Sequence, residues 1–98
     1  MKMNKNGKRY DTDNCRDIAT LNHRNYNNNY SGTTHLGVAS DGQLLKWRIT
    51  NGQDLYLREY AETITQEDAI EDLNGDNWDM NAQQETLAVQ LGLIKLID

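Results

Sequence analysis

Apolar and polar side chains alternate most clearly between Thr33 and Tyr60, and this alternation predicts an antiparallel sheet. The run "THLGVASDGQLLKWRIT" divides at Asp41-Gly42, a dipeptide suited to a two-residue type I′ hairpin. That turn sets Val38 against Leu45 and Leu36 against Trp47, so that Leu36, Val38, Leu45, Trp47 and Ile49 share an inward face. A second hairpin is expected at Thr50-Asn51-Gly52. A three-residue loop with Gly52 in a left-handed position sets Trp47 against Leu55 and Leu45 against Leu57, which keeps the inward face apolar. The other face then collects His35, Lys46, Arg48, Tyr56, Arg58 and Tyr60. The expected unit is a three-stranded antiparallel β-meander over about residues 33–60, with Trp47 as its anchor.

Around the meander the period changes to that of helices. In "DTDNCRDIATL", Asp11 or Thr12 can cap, Asp13 lies in a positive first turn, and Cys15, Ile18 and Ala19 fall at i, i+3 and i+4, predicting a helix over 13–21. The stretch "NHRNYNNNYSG" (22–32) reads as a loop, because Asn side chains bond their own backbone and tolerate left-handed conformations. Thr65 with Asp68 three residues on predicts a helix over 66–73 ended by Gly75, with Ala69, Ile70 and Leu73 inward. Asn81 with Gln84 predicts another over 82–91, with Leu87, Ala88 and Leu91 inward. The last residues, Leu93–Ile97, are apolar on both faces, a pattern that fits either a prolonged helix or a terminal strand, the strand being favoured. Residues before Lys8 show no periodicity and are expected to be frayed. The whole is an α+β fold in one compact domain, since 98 residues support a single core.

Composition narrows the class. At 37% hydrophobic and 26% charged the chain lies outside the disordered regime. No apolar run is long enough to span a bilayer or to follow the basic start as a signal peptide, and Cys15 has no partner for a disulfide; both fit the cytoplasm. The net charge of −5 hides an asymmetry: residues 1–49 carry eight Lys/Arg and four Asp/Glu (+4), residues 50–98 two and eleven (−9). An acidic half repels nucleic acid and attracts basic protein surfaces.

Catalytic patterns are missing from the sequence. Asp72, Asn74 and Asp76 imitate the start of a calcium loop, but Asn77 and Gln83 stand where the turn glycine and the bidentate acid are needed. His23 and His35 have no partners at metal-ligand spacing, and neither a nucleophile elbow nor a glycine-rich phosphate cradle occurs. No enzyme activity, metal or cofactor is expected.

"KRYDT" (8–12), "DIATL", the hairpin "HLGVASDGQLLKW" and "ITQEDAIEDL" together resemble a class of small proteins from bacteriophages and mobile elements. Such proteins open on K-x-Y-D-T and start a later helix with L-T-x-E-E-A, which Thr65–Ala69 matches. The resemblance spans about residues 8–73. Their glycine-rich segment after the hairpin is replaced here by Gly52-Gln53-Asp54, and no functional residue transfers. Some proteins of this look are anti-CRISPR inhibitors, which block a Cas effector without catalysis.

Three readings follow. In the first, a phage-type inhibitor of a Cas effector or another nucleic-acid-handling complex presents Glu59, Glu62, Glu67, Asp68, Glu71, Asp72, Asp76 and Asp79 to a basic groove, with Tyr26 and Tyr30 as aromatic anchors. In the second, Lys46, Arg48, Tyr56, Arg58 and Tyr60 hold phosphates and stack bases. In the third, the chain is an adaptor for an unrelated partner, and that face is an ordinary solvated one with Arg48 paired to Asp54. The acidic balance favours the first.

Overall fold

The computed structural model describes residues 1–52, 54 and 56–97. Arg16–Arg24 (β3), Tyr30–Val38 (β4), Leu44–Thr50 (β5) and Tyr60–Ile64 (β6) form an antiparallel sheet in sequence order. Lys2–Lys5 (β1) and Lys8–Asp11 (β2) form a separate hairpin, and Gln66–Gly75 (α1) and Ala82–Gln90 (α2) follow the sheet. The α+β class agrees with expectation, but the sheet has four strands rather than three. No helix among the described residues is long and apolar enough to cross a membrane.

The helix expected over 13–21 is strand β3. Asp11 does cap, its carboxylate accepting from Asp13 N at 3.1 Å, but the capped element is only a 3-10 turn over Thr12–Asn14. A bulge between Asp17 and Ala19 then lets Ile18 and Ala19, 1% and 0% exposed, both turn inward. Two adjacent inward residues imitate helical spacing. The expected loop over 22–32 is mostly strand too, pairing β3 with β4 and leaving a tight turn at residues 25–29. In that turn Asn25 Oδ1 accepts from Asn27 N and Asn29 N, and Asn28 takes φ 62°.

The β4–β5 hairpin differs from expectation by one residue. Val38 pairs with Leu44, Leu36 with Lys46 and His35 with Trp47, so the loop is Ser40-Asp41-Gly42 with Gly42 at φ 90°. A one-residue slip moves every side chain to the other face. Trp47 therefore does not lie with Leu36 and Val38. The next connection is longer than expected: β5 ends at Thr50 and β6 begins at Tyr60, pairing Trp47 with Ala61 and Leu45 with Thr63. The expected pairing of Leu45 with Leu57 does not occur, and Leu55 lies outside the described residues.

Two layers cover the sheet. On one face Ala19, Leu36, Val38 and Leu44 join Ala69 of α1 and Leu87 and Ala88 of α2 in the main core. Lys46 reaches from this face to Asp72 of α1, 3.0 Å away. On the other face Leu45 and Trp47, 0% and 5% exposed, lie against His35 and Gly37, and the 3-10 turn packs nearby. The β1–β2 hairpin is fastened to the β4–β5 turn by Lys8 Nζ and Tyr10 Oη, both on Asp41 Oδ2, at 3.1 and 2.8 Å. Residues expected to be frayed are thus paired.

Both later helices form as expected, each with a reciprocal capping box: Thr65 with Asp68, Asn81 with Gln84. The linker between them returns to the sheet, where Thr20 and Asp79 exchange two backbone hydrogen bonds at the outer edge of β3. The expected terminal strand is not formed. Gly92, at φ 73°, turns the chain back after α2, and Leu93 enters the core, 4% exposed.

Candidate functional site

From residue 59 to residue 94 the chain contains no Lys, Arg or His and nine acids: the eight acidic candidates and Glu85, which sequence reading passed over. This stretch builds β6 and both helices, so most of these acids lie on α1, α2 and the linker between them, while Glu59 and Glu62 belong to the β6 edge and Asp79 reaches the β3 edge. They are not equivalent. Asp68 accepts from the Thr65 backbone in the capping box, Asp72 holds Lys46, and Glu59 accepts from Thr50 N at 2.9 Å. Glu62, Glu67, Glu71, Asp76 and Asp79 are exposed. Several of these charges oppose local stability. Glu67 and Glu71 stand at i and i+4, the last turn of α1 has no basic residue, and Asp76 caps its negative end. An acid at a helix C-terminus and like charges one turn apart each cost a few tenths of a kcal/mol or more.

The basic and aromatic candidates are dispersed. Arg48 pairs with Tyr60 across β5 and β6, its guanidinium 5.0 Å from the ring centre. Lys46 shares their face, which is the helix-covered one, and is held by Asp72. Tyr56, 97% exposed, and Arg58 project from the connection beyond β5, so the five residues do not make one flat binding face. The Asp54 carboxylate accepts from Tyr56 N at 3.0 Å rather than meeting Arg48. Arg48 Nε instead donates to Thr34 Oγ1 at 2.9 Å, and Thr34 Oγ1 lies 2.6 Å from His23 Nε2. Burial, then the Arg48 charge, pushes the His23 pKa down, while Asp76 acts in the opposite sense.

Tyr26 stands 96% exposed on the β3–β4 turn. Tyr30, 45% exposed, directs its hydroxyl to Thr33 Oγ1 at 2.7 Å. Both remain available to a partner, at the end of the sheet where Asn51 Nδ2 donates to the Tyr30 carbonyl.

One cleft on the opposite face combines groups that sequence reading kept apart. Thr12, Asp13, Cys15, Asp17, His35, Trp47 and Ile49 line about 280 Å³. His35 stacks on Trp47 with ring centres 5.1 Å apart and planes 3° from parallel, and its Nδ1 lies 3.2 Å from Asp17 Oδ1. The thiol in this cleft is Cys15, but burial first, and then Asp11, Asp17 and Asp41, raise its pKa, and its Sγ is directed to the Asp11 carbonyl at 3.6 Å. A thiol kept protonated by its surroundings is a poor nucleophile. No group of three or more metal-ligating side chains occurs among the described residues. Comparison with known proteins gives no matching family model, no matching curated protein and no matching solved structure.

Proposed function

We propose that this chain is a non-catalytic binding protein that sets its acidic helix layer against a basic surface of a nucleic-acid-handling protein complex, as a phage-borne anti-CRISPR inhibitor would in the host cytoplasm. The observation that carries the reading is the run from 59 to 94, nine acids without one basic residue, which includes both helices. Charges placed against the dipole and against each other on α1 lower the stability of the free protein, and a cationic partner would relieve both. Tyr26 and Tyr30 supply aromatic anchors among adaptable Asn side chains. Glu67 and Glu71 are the acids to test, because Asp68 and Asp72 also hold the fold.

The test measures DNA binding to purified guide-loaded Cas effectors by fluorescence anisotropy, with and without this protein. Displacement of DNA that weakens as salt rises is expected. Glu67→Lys with Glu71→Lys should weaken displacement about tenfold or more, the equivalent of about 1.4 kcal/mol, with little change in melting temperature. Failure to displace DNA from any effector type, or displacement indifferent to both salt and charge reversal, refutes the reading and leaves the adaptor. Direct binding of free DNA or RNA by this protein would instead revive the basic and aromatic candidates.

A further inference from the structure

Arg48 is a half-buried cation whose neighbours hold it in place without neutralising it. Its Nε donates to Thr34 Oγ1, its guanidinium lies over Tyr60, and no carboxylate among the described residues pairs with it, although the chain has 15. Thr34 is fully buried, and its hydroxyl has one proton. That oxygen accepts from Arg48 Nε and lies 2.6 Å from His23 Nε2, so the buried hydroxyl joins two basic side chains and brings no negative charge to Arg48. Among the described residues no acceptor meets the Arg48 Nη groups, whose donors are left to solvent or to a group from outside the chain.

Position supports the same conclusion. Thr34, Arg48 and Tyr60 are direct neighbours across β4, β5 and β6, on the helix-covered face. Leu57 lies close over Gly32, to which His23 is paired, so the connection after β5 borders the row on one side. Asp76, at the end of α1, is near enough to act on His23 from the other. A partly desolvated guanidinium without a counter-charge costs stability that an incoming anion would return, and its planar fork matches two oxygens of a carboxylate or phosphate.

We infer that Arg48, backed by Thr34 and Tyr60 and flanked by His23, anchors an oxyanion site that takes a phosphate or carboxylate group from outside the chain. The inference does not depend on the acidic layer having a partner. Sodium phosphate and sodium acetate are titrated separately into the folded protein at constant ionic strength, with chloride as control, while NMR follows the Arg48 guanidinium and His23 imidazole. Saturable shifts of Arg48 with at least one of the two anions, absent in chloride, are expected, together with a rise in the His23 pKa; the stronger arm identifies the anion class. Arg48→Gln keeps an amide donor for Thr34 and should weaken binding about tenfold or more, while Arg48→Lys retains part of it. Shifts that merely follow chloride, or Arg48→Gln binding as well as the parent, overturn the proposal. The parent titration decides on its own if Arg48→Gln does not fold.

Discussion

Gly37→Ala is the sharpest probe of how the two central strands are aligned. A Cβ at Gly37 would lie 2.6 and 2.7 Å from two carbons of the Trp47 ring and 2.9 Å from the Arg16 carbonyl oxygen, all closer than real Cβ contacts allow. The ring has little room to yield, being 5% exposed and stacked on His35. Overpacking of this kind costs about 1–3 kcal/mol, and the loss of glycine freedom in the unfolded chain returns about 0.4–1 kcal/mol. A net loss of about 1–2 kcal/mol should lower the melting temperature of a chain this size by roughly 4–16 °C. Thermal and urea unfolding followed by far-UV circular dichroism measure it. A double-mutant cycle isolates the cause: with Trp47→Ala already present, Gly37→Ala should cost less, only the Arg16 carbonyl contact remaining, giving a coupling of about 1 kcal/mol. Were Leu36 opposite Trp47, Gly37 would face away from the ring and the alanine would be harmless. Strict additivity, or a Gly37→Ala protein as stable as the parent, refutes the alignment.

Asp41 gives a pH dependence of definite sign. The backbone N–H of Gln43 first, then Tyr10 and Lys8, hold its carboxyl at about 2 instead of the ordinary 3.8. A depressed pKa adds stability above the unfolded value that is lost as pH falls through the folded one. The melting temperatures of parent and Asp41→Asn should therefore differ at neutral pH and converge between about pH 4 and pH 2; a constant difference across that window would count against the hairpin anchor. The helix caps should behave locally, Thr65→Ala and Asn81→Ala each losing about 1 kcal/mol in urea unfolding. A loss below about 0.3 kcal/mol at either would mean that its box contributes little.

What could be read from the sequence was whatever the chain decides over four residues or fewer. Thr65 with Asp68 and Asn81 with Gln84 specify their own helix starts through short-range hydrogen bonds, and both appear where expected. Strand β3 was not legible, because its bulge turns Ile18 and Ala19 inward together and produces with Cys15 the spacing of a helix. Leu44 and Leu45 hid the register of β5. Both are buried, one under each layer, so either alignment satisfies an apolar count. The extra loop residue at Ser40-Asp41-Gly42 then decided between them, through a positive φ at Gly42 that the Asp-Gly dipeptide permits in both turn types. The acidic run was visible as composition, but which of its carboxylates are tied up in caps and ion pairs, Asp68 with Thr65 and Asp72 with Lys46, follows only once α1 and the sheet are placed. The environment of Arg48 depended on the same register, since Thr34 becomes its cross-strand neighbour only after the slip.

The two hydrogen bonds between Thr20 and Asp79 also determine how this molecule meets copies of itself. Strand β3 is an outer strand of the sheet, and an open outer strand is a template for another chain. Here the helix linker already occupies its midpoint, and the bulge between Asp17 and Ala19 bends the edge just before it. An incoming strand would find residues 21–24 alone, with a second irregularity between His23 and Arg24. To gain a longer contact it would have to displace Asp79 and with it the approach to α2. Edgewise polymerisation along β3 therefore requires prior detachment of the linker, which makes seeding through this edge an unfolding-limited event rather than a collision-limited one.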